Sequence, residues 1–261
     1  MCRCLQVSPS GYYEWRGRLP SARSQENSRL SERIVALHTQ SDGVMGSPRI
    51  WEELRYTGET CGRHRVARLM RRMHLYGIPQ KRKARRMSPG NRPAGIQNHL
   101  ERDFTADQAN AKWVTDITYI RTQERWLYLC VVIDLYSGMV IGWSMSSTQD
   151  RHLVIQAVLM ALWQRHDQAP VILHSDRGCQ FTSDDYQRFL ASHHITSSMS
   201  AVGSCADNAA AEGFFGLLKR ERVYRRQYRT LQEARTDIFD YIERFHNPRM
   251  KRKMQMRQLK D

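Results

Sequence analysis

Three acidic side chains stand at positions where acids are uncommon, and their placement suggests chemistry. Asp116 lies in the middle of an apolar and β-branched run, residues 113–120, although aspartate is disfavoured in strands. Asp176 closes a second apolar run, 171–175, where a loop begins, and Glu212 lies near the start of an otherwise apolar helical segment. Because a buried carboxylate is costly unless a positive group neutralises it, we expect a cationic partner for these acids.

Each acid also has a purely structural explanation. Asp116 could pair with a buried arginine, Asp176 could be an ordinary turn residue, and Glu212 could interact with a helix dipole. Carboxylates with perturbed pKa values often belong to such structural ion pairs. Taken together, however, three acids at the ends or centres of buried elements predict an oxygen-ligand site for a hard divalent ion. Mg²⁺ prefers a few carboxylates with water and substrate phosphate, and it needs neither Cys nor His.

The elements around the acids indicate an α/β fold. Three apolar runs separated by turn-like segments, residues 113–120, 126–135 and 139–145, predict an antiparallel meander. The periodicity then alternates between helix and strand, with helices near 150–166, 183–193, 207–222 and 231–246 and strands near 171–173 and 195–199. This order is compatible with a ribonuclease H-like core.

A small all-α region precedes that core. Apolar residues recur at helical spacing at Leu30, Ile34 and Leu37, and again in two later segments of residues 1–79. The third of these helices carries an arginine-rich face beside its apolar stripe: Arg63, Arg65, Arg68, Arg71 and Arg72. Short helices with such a face suit docking on DNA as a helix-turn-helix variant, with Arg63 and Arg68 as candidate contacts. The pattern does not tell which helix enters a groove.

A basic segment rich in Pro and Gly, residues 80–98, predicts a linker between the two regions. Its first half contains Lys81, Arg82 and Lys83, which are candidate contacts to a phosphate backbone. A solvated linker without such a role explains the composition equally well.

The charge is distributed unevenly along the chain. The net charge of +15 divides into +12 for residues 1–100, −3 for 101–243 and +6 for 244–261. A basic front half and a basic end flanking an acidic centre favour nucleic acid as the partner. No apolar run is long enough for a membrane helix, so no membrane partner is expected. The six cysteines show neither paired nor zinc-like spacing, which favours reduced thiols in the cytoplasm.

At the acidic residues the sequence resembles a known family. Thirty-five residues separate Asp176 from Glu212, and fifty-nine separate Asp116 from Asp176. The blocks around them, 113–119, 174–178 and 207–212, are similar to the catalytic blocks of bacterial insertion-sequence transposases. These belong to the DDE, or retroviral-integrase, superfamily, and the resemblance is to the larger protein of two-frame elements. It runs along almost the whole chain.

The resemblance implies a function. Asp116, Asp176 and Glu212 would be the catalytic acids and would bind two Mg²⁺ ions, which Mn²⁺ can replace. Lys219, two helical turns after Glu212, would hold the end of the element's DNA. The expected activity is cleavage and strand transfer at the ends of an insertion sequence. Expected partners are double-stranded DNA, further copies of the chain and a small helix-turn-helix protein encoded upstream, all in the cytoplasm at the nucleoid.

The expected organisation is a helical DNA-binding region over 1–79, the linker, a catalytic core over 99–246 and a basic tail over 247–261. Family members commonly continue with a His-Ser pair after the segment 246–249, and this chain does not, so we expect a truncated tail. Asp134, Asp207 and His174 lie close to the catalytic blocks, and structural roles are expected for them. Two other hypotheses remain: a cellular nuclease of the same fold, and a non-catalytic DNA-binding remnant that acts as a repressor.

Overall fold

The computed structural model describes residues 2, 4–79, 105–165, 169–176, 178–199 and 208–258. Its contacts divide the chain into two units, Met1–Lys81 and Arg82–Asp261. The predicted linker, residues 80–98, lies entirely outside the described residues, and so do Lys81, Arg82 and Lys83. Within the described ranges, no helix combines the length and the apolar character that a bilayer span requires.

The first unit is helical where it is described, with α1 at Pro9–Gly17, α2 at Ala22–Gln40, α3 at Ser47–Tyr56 and α4 at Arg63–Arg72. Helix α2 begins after Ser21, whose hydroxyl accepts a hydrogen bond from the Ser24 N–H at 3.2 Å. Helices α2, α3 and α4 pack against one another through an apolar stripe that includes Leu30, Ile34, Ile50, Leu54, Val66, Leu69 and Met70. Burial of this stripe explains why three short helices form a stable unit.

Ion pairs hold the polar side of this unit. Glu59 accepts hydrogen bonds from Arg29 at 2.8 and 2.7 Å and also pairs with Arg33. The Arg29 guanidinium is the largest cause of the lowered pKa of Glu59. Arg65 on α4 donates to Glu26 and Asn27 on α2, each at 2.9 Å. These charges are therefore matched inside the unit.

The second unit contains a five-stranded sheet. Its strands are β1 at Lys112–Arg121, β2 at Trp126–Asp134, β3 at Val140–Ser146, β4 at Val171–Ser175 and β5 at Ile195–Met199. The strand order is β3-β2-β1-β4-β5, with β1, β2 and β3 antiparallel and with β4 and β5 parallel to β1. This mixed sheet confirms the α/β, ribonuclease H-like fold predicted from the order of the elements.

Six helices of the described chain accompany the sheet: α5 at Arg151–Trp163, α6 at Cys179–Thr182, α7 at Asp184–Ser192, α8 at Ala209–Glu221, α9 at Leu231–Phe239 and α10 at Asn247–Gln258. A 3₁₀ turn at Val223–Arg225 follows α8, and a π-helical segment at Asp240–His246 joins α9 to α10. The single helix expected at 231–246 is thus α-helical only as far as Phe239.

The two faces of the sheet bury separate apolar clusters. One face packs Val114, Ile120 and β2 residues against α8 and α9, and the other packs Trp113, Cys130 and Val132 against α5 and α7. Helix α5 lies directly on β3 at Gly142, where a methyl group would lie 2.2 Å from the Ala157 carbonyl oxygen. A glycine is required there because the two backbones approach so closely.

The basic tail predicted at 247–261 forms helix α10 over most of its length. Its first residue, Asn247, is buried and bonds the backbone of Val140 on β3 twice, accepting at 2.9 Å and donating at 2.8 Å. Just before it, Glu243 accepts a hydrogen bond from the Trp143 indole at 2.7 Å. The end of the described chain is therefore attached to the edge strand of the sheet.

Candidate active site

Strands β1 and β4 separate where two of the predicted acids lie. The two strands pair only from Lys112 to Val114, and the last pair joins Val114 to His174. Two residues further along the chain come Asp116, which lies inside β1, and Asp176, which directly follows β4. Because the parallel strands advance together, the two acids lie at the same level, where β4 ends and the sheet opens beside β1.

Asp116 has a strongly raised pKa. It is raised from 3.8 to about 7, chiefly by burial and to a smaller extent by the negative charges of Asp176 and Glu212. The Ile117 N–H, which donates to the Asp116 carboxylate at 2.7 Å, and the charge of Lys219 lower the pKa and only partly offset these effects. The charges of Asp176 and Glu212 therefore reach Asp116, and Lys219 is the described cation that acts on it most strongly.

Helix α8 carries Glu212 to this region. The Asn208 side chain, buried just before α8, donates to the carbonyl oxygen of Thr115 on β1 at 3.1 Å. Ala211, Phe214 and Leu218 of α8 enter the apolar cluster beneath, which leaves Glu212 exposed. Asn208 occupies the N-cap position of α8, but its side chain bonds the strand. Asp207, for which a structural role was expected, lies outside the described residues.

Asp176 and Lys219 border the same opening. Asp176 is exposed, and its carboxylate accepts a hydrogen bond from the Gly178 N–H at 3.1 Å. Lys219 lies on α8, where its charge lowers the pKa of Asp116. Its ammonium nitrogen lies 4.9 Å from the centre of the Tyr119 ring. One cation therefore borders a site made of three acids.

The donor chemistry of this site fits a hard divalent cation, since carboxylate oxygens are the ligands that Mg²⁺ prefers. Among the residues that the structure describes, however, no three His, Cys, Asp or Glu side chains are close enough to hold one metal ion. An ion bound by Asp116, Asp176 and Glu212 together thus needs their side chains to draw closer. The assignment of these three as metal ligands stays a prediction.

The arginines of α4 divide into two groups, and the two predicted DNA contacts, Arg63 and Arg68, belong to the exposed one. Arg63 and Arg68 are exposed on α4, together with Arg71 and Arg72. Arg65, on the same arginine-rich face, is instead engaged by Glu26 and Asn27. The exposed arginines keep their hydrogen-bond donors accessible to a phosphate backbone.

The neighbouring polar residues have the structural contacts expected for them. Asp134 ends β2, and its carboxylate accepts hydrogen bonds from the Asn110 and Ser137 N–H groups at 3.1 and 2.9 Å. His174 is fully buried, and its Nδ1 atom lies 3.0 Å from the Ser198 hydroxyl on β5. Both residues tie parts of the sheet together.

A groove that the sequence did not predict lies next to Lys219. Tyr119, Trp126, Lys219 and Tyr224 line an open cavity of about 790 Å³ at the end of the β1–β2 hairpin. The signal was present in the hairpin, where Tyr119 and Trp126 lie on either side of Arg121 and Arg125. We interpreted this segment only as strand and turn because sequence periodicity cannot bring α8 next to it.

Three protein-family descriptions match the chain. An integrase core domain matches residues 106–205, and a second integrase core domain description matches residues 212–258. An HTH-like domain matches residues 25–83. The integrase descriptions cover the sheet unit with α8 to α10, and the HTH-like description covers α2, α3 and α4.

Similar proteins are found over almost the whole length. The transposase InsF for insertion sequence IS3A of Escherichia coli strain K12 is 42% identical over 254 residues, which are 95% of this chain and 86% of that protein. An uncharacterized 31 kDa protein of insertion element IS600 from Shigella sonnei is 37% identical over 248 residues, 95% of this chain and 91% of that protein. The crystal structure of the catalytic domain of Mos1 mariner transposase is 14% identical, with a TM-score of 0.47 over 56% of this chain and 76% of that one.

Proposed function

This chain belongs to the insertion-sequence transposases of the DDE, or retroviral-integrase, superfamily, and from this premise we propose that it cuts and joins DNA in a Mg²⁺-dependent reaction. The substrate is the pair of DNA ends of its own element, with target DNA as the second substrate. The observation that carries the proposal is the state of Asp116: its pKa is raised by burial and then by the charges of Asp176 and Glu212. Acids arranged in this way attract a divalent cation.

Asp116, Asp176 and Glu212 hold two Mg²⁺ ions in this proposal, and Mn²⁺ can replace them. When bound, the ions supply positive charge and Lewis acidity at the phosphodiester. The protein side of the site contributes position: Asp116 is held by its strand and by the Ile117 N–H, and the Asn208 contact to Thr115 fixes the start of α8, the helix that carries Glu212. These contacts fix the backbone of both acids, while the carboxylates themselves have to draw closer to share an ion.

The reaction consists of two in-line displacements at phosphorus. In the first, a water oxygen bonds to phosphorus, the bond to the 3′-oxygen breaks, and a free 3′-hydroxyl remains on the element. In the second, that 3′-hydroxyl bonds to a target phosphorus and displaces the target's own 3′-oxygen. Lys219 borders the acids and contacts the phosphate next to the one that reacts.

Basic residues outside the catalytic site bind the phosphate backbone of the DNA. Arg63 and Arg68 on α4 contact the phosphate backbone, and so do the linker residues Lys81, Arg82 and Lys83. The HTH-like match supports a DNA-binding role for the helical unit. We further propose a homo-multimer that brings two element ends together, aided by a small helix-turn-helix protein encoded upstream and acting at the nucleoid in the cytoplasm.

The test is a paired assay with an oligonucleotide duplex that carries one element end, incubated with Mg²⁺ and a target plasmid, with and without the upstream partner protein. Asp176→Asn should lower cleavage and joining by at least about a thousandfold, because the site loses several kcal/mol of charge stabilisation. Asp184→Asn is the matched control, since it removes an equal charge from the exposed start of α7.

Three results would contradict the proposal in different ways. Equal reaction by wild type and Asp176→Asn would remove the acids from the chemistry. Cleavage without joined product would identify a nuclease of the same fold. Undiminished DNA affinity with no reaction under any of the conditions would identify a DNA-binding remnant that represses its element.

A further inference from the structure

The groove beside the acids is built from aromatic side chains that the fold leaves uncovered. Tyr119 is 58% exposed, Trp126 is 44% exposed and Tyr224 is 76% exposed. The rings of Tyr119 and Trp126 meet edge to face, with centroids 5.2 Å apart. Tyr224 joins them from the 3₁₀ turn that follows α8. Clustered exposed aromatics of this kind commonly mark a contact surface.

Positive charge surrounds these rings. Lys219 lies over the Tyr119 ring, and Arg121 and Arg226 also line the groove. Arg226 pairs with Asp237, which holds its guanidinium in a defined position. No carboxylate belongs to the groove lining within the described part of the chain. Aromatic faces together with cations complement a ligand that has both flat rings and phosphates.

The groove adjoins the proposed catalytic site. Tyr119 lies three residues after Asp116 on β1, a separation of about 10 Å along a strand. Lys219 is common to both places, because its charge acts on Asp116 while its ammonium group lies over Tyr119. A DNA strand in the groove and a phosphate at the acids are thus both next to the Lys219 side chain.

We propose that this groove binds one or two unpaired bases of the DNA strand next to the reacting phosphodiester. In a duplex, each base face is covered by its neighbours, whereas an unpaired base can stack on Tyr119, Trp126 or Tyr224. Lys219 and Arg121 then contact the flanking phosphates. The inference rests on the proposed function for its DNA substrate, and it adds that the substrate is locally unpaired beside the site of reaction.

The experiment measures binding without catalysis, in EDTA, by fluorescence anisotropy with the full chain. The probe is a labelled duplex with a two-nucleotide single-stranded tail, which carries either two thymine bases or two abasic sugars. The two probes have equal charge and differ only in the bases. Wild type should prefer the base-containing probe by about tenfold, as expected for stacking on aromatic side chains.

Substitutions in the groove test whether the preference for the base-containing probe arises there. Trp126→Ala and Tyr224→Ala should each reduce it toward onefold, and Trp126→Phe should keep most of it because a ring remains. Trp163→Ala is the matched control, since Trp163 is an aromatic residue of the same unit that is 83% exposed and does not line the groove. Tyr224 is so exposed that its loss leaves the core intact, which protects the test against misfolding of Trp126→Ala.

Equal binding of the two probes by wild type would overturn the inference, and so would a groove variant that keeps the same preference as Trp163→Ala. Failure of the proposed catalysis is recognised separately, in the Mg²⁺ assay with Asp176→Asn. A chain that prefers unpaired bases but does not cut DNA would retain the groove assignment and lose the catalytic one.

Discussion

The two units of the chain place a carboxylate in opposite electrostatic environments. In the helical unit, Glu59 is matched by Arg29 and Arg33, and its pKa is lowered by them. In the sheet unit, Asp116 is partly buried beside the charges of two further acids, and its pKa is raised to about 7. The negative charge of Glu59 is thus balanced by arginines of the protein itself. The negative charges around Asp116 exceed the positive charge that the described residues place beside them.

This difference distinguishes Glu59, a structural acid, from Asp116, an acid whose charged form requires a bound cation. An arginine pair stabilises the charged form of Glu59 and contributes to folding. The environment of Asp116 destabilises its charged form, which has a cost in the absence of metal. Such a cost is retained where function requires it. We therefore expect stabilisation by Mg²⁺ to depend on Asp116 and not on Glu59. We also expect the contributions of the two acids to the unfolding free energy to change with pH in opposite directions.

The largest expected effect is stabilisation by Mg²⁺. At a hundredfold excess over its dissociation constant, the ion should raise the free energy of unfolding by about 2.7 kcal/mol, because it binds the folded state. Asp116→Asn should abolish most of this gain, and Glu59→Gln should leave it intact. Urea unfolding with and without MgCl₂ measures the effect. An equal gain in wild type and Asp116→Asn would show that the ion binds elsewhere.

The next effect, which is smaller for each pH unit, is expected from pH in the metal-free protein. The pKa of Asp116 lies above its ordinary value of 3.8, so the folded chain holds this proton up to about pH 7 while the unfolded chain has lost it. The stability contributed by Asp116 should therefore fall as the pH rises from about 4 to 7, by at most about 1.4 kcal/mol per pH unit. The difference in unfolding free energy between wild type and Asp116→Asn, measured in EDTA, should show this slope.

Glu59 should show the reverse trend in the same measurement. Its pKa is lowered from an ordinary value of 4.5, so its contribution is present above that pH and is lost as the pH falls below it. The difference between wild type and Glu59→Gln should shrink only in acid. Parallel pH trends for the two variants would remove the distinction between the two acids.

The smallest effect distinguishes two arginines of the helical unit. Arg68→Ala removes an exposed cation and should reduce the salt dependence of DNA binding by about one unit of slope, with unfolding unchanged. Arg65→Ala breaks the contacts to Glu26 and Asn27, so it should lower the melting temperature and change the salt slope less. Anisotropy titrations from about 50 to 200 mM salt and thermal unfolding separate the two outcomes.

Much of the architecture followed from local pattern. The apolar runs around Asp116 and Asp176 predicted β1 and β4, and the fifth strand at 195–199 has the observed bounds. The limits of α9 and α10 were less predictable, because the chain passes from one helical form to another through a π-helical segment without Gly or Pro. Hydrophobic periodicity does not distinguish such segments from a continuous helix.

The linear order of residues was sufficient for the identity and spacing of the three acids, for the alternation of strands and helices, and for the charge that favours DNA. Three-dimensional packing added the separation of β1 from β4, the mutual repulsion at Asp116, the pairing of Arg65 in contrast to Arg68, and the groove of Tyr119, Trp126, Lys219 and Tyr224. The reason is physical. Periodicity and composition report the environment of each segment separately, whereas desolvation and Coulomb interactions depend on distances between side chains far apart in the chain.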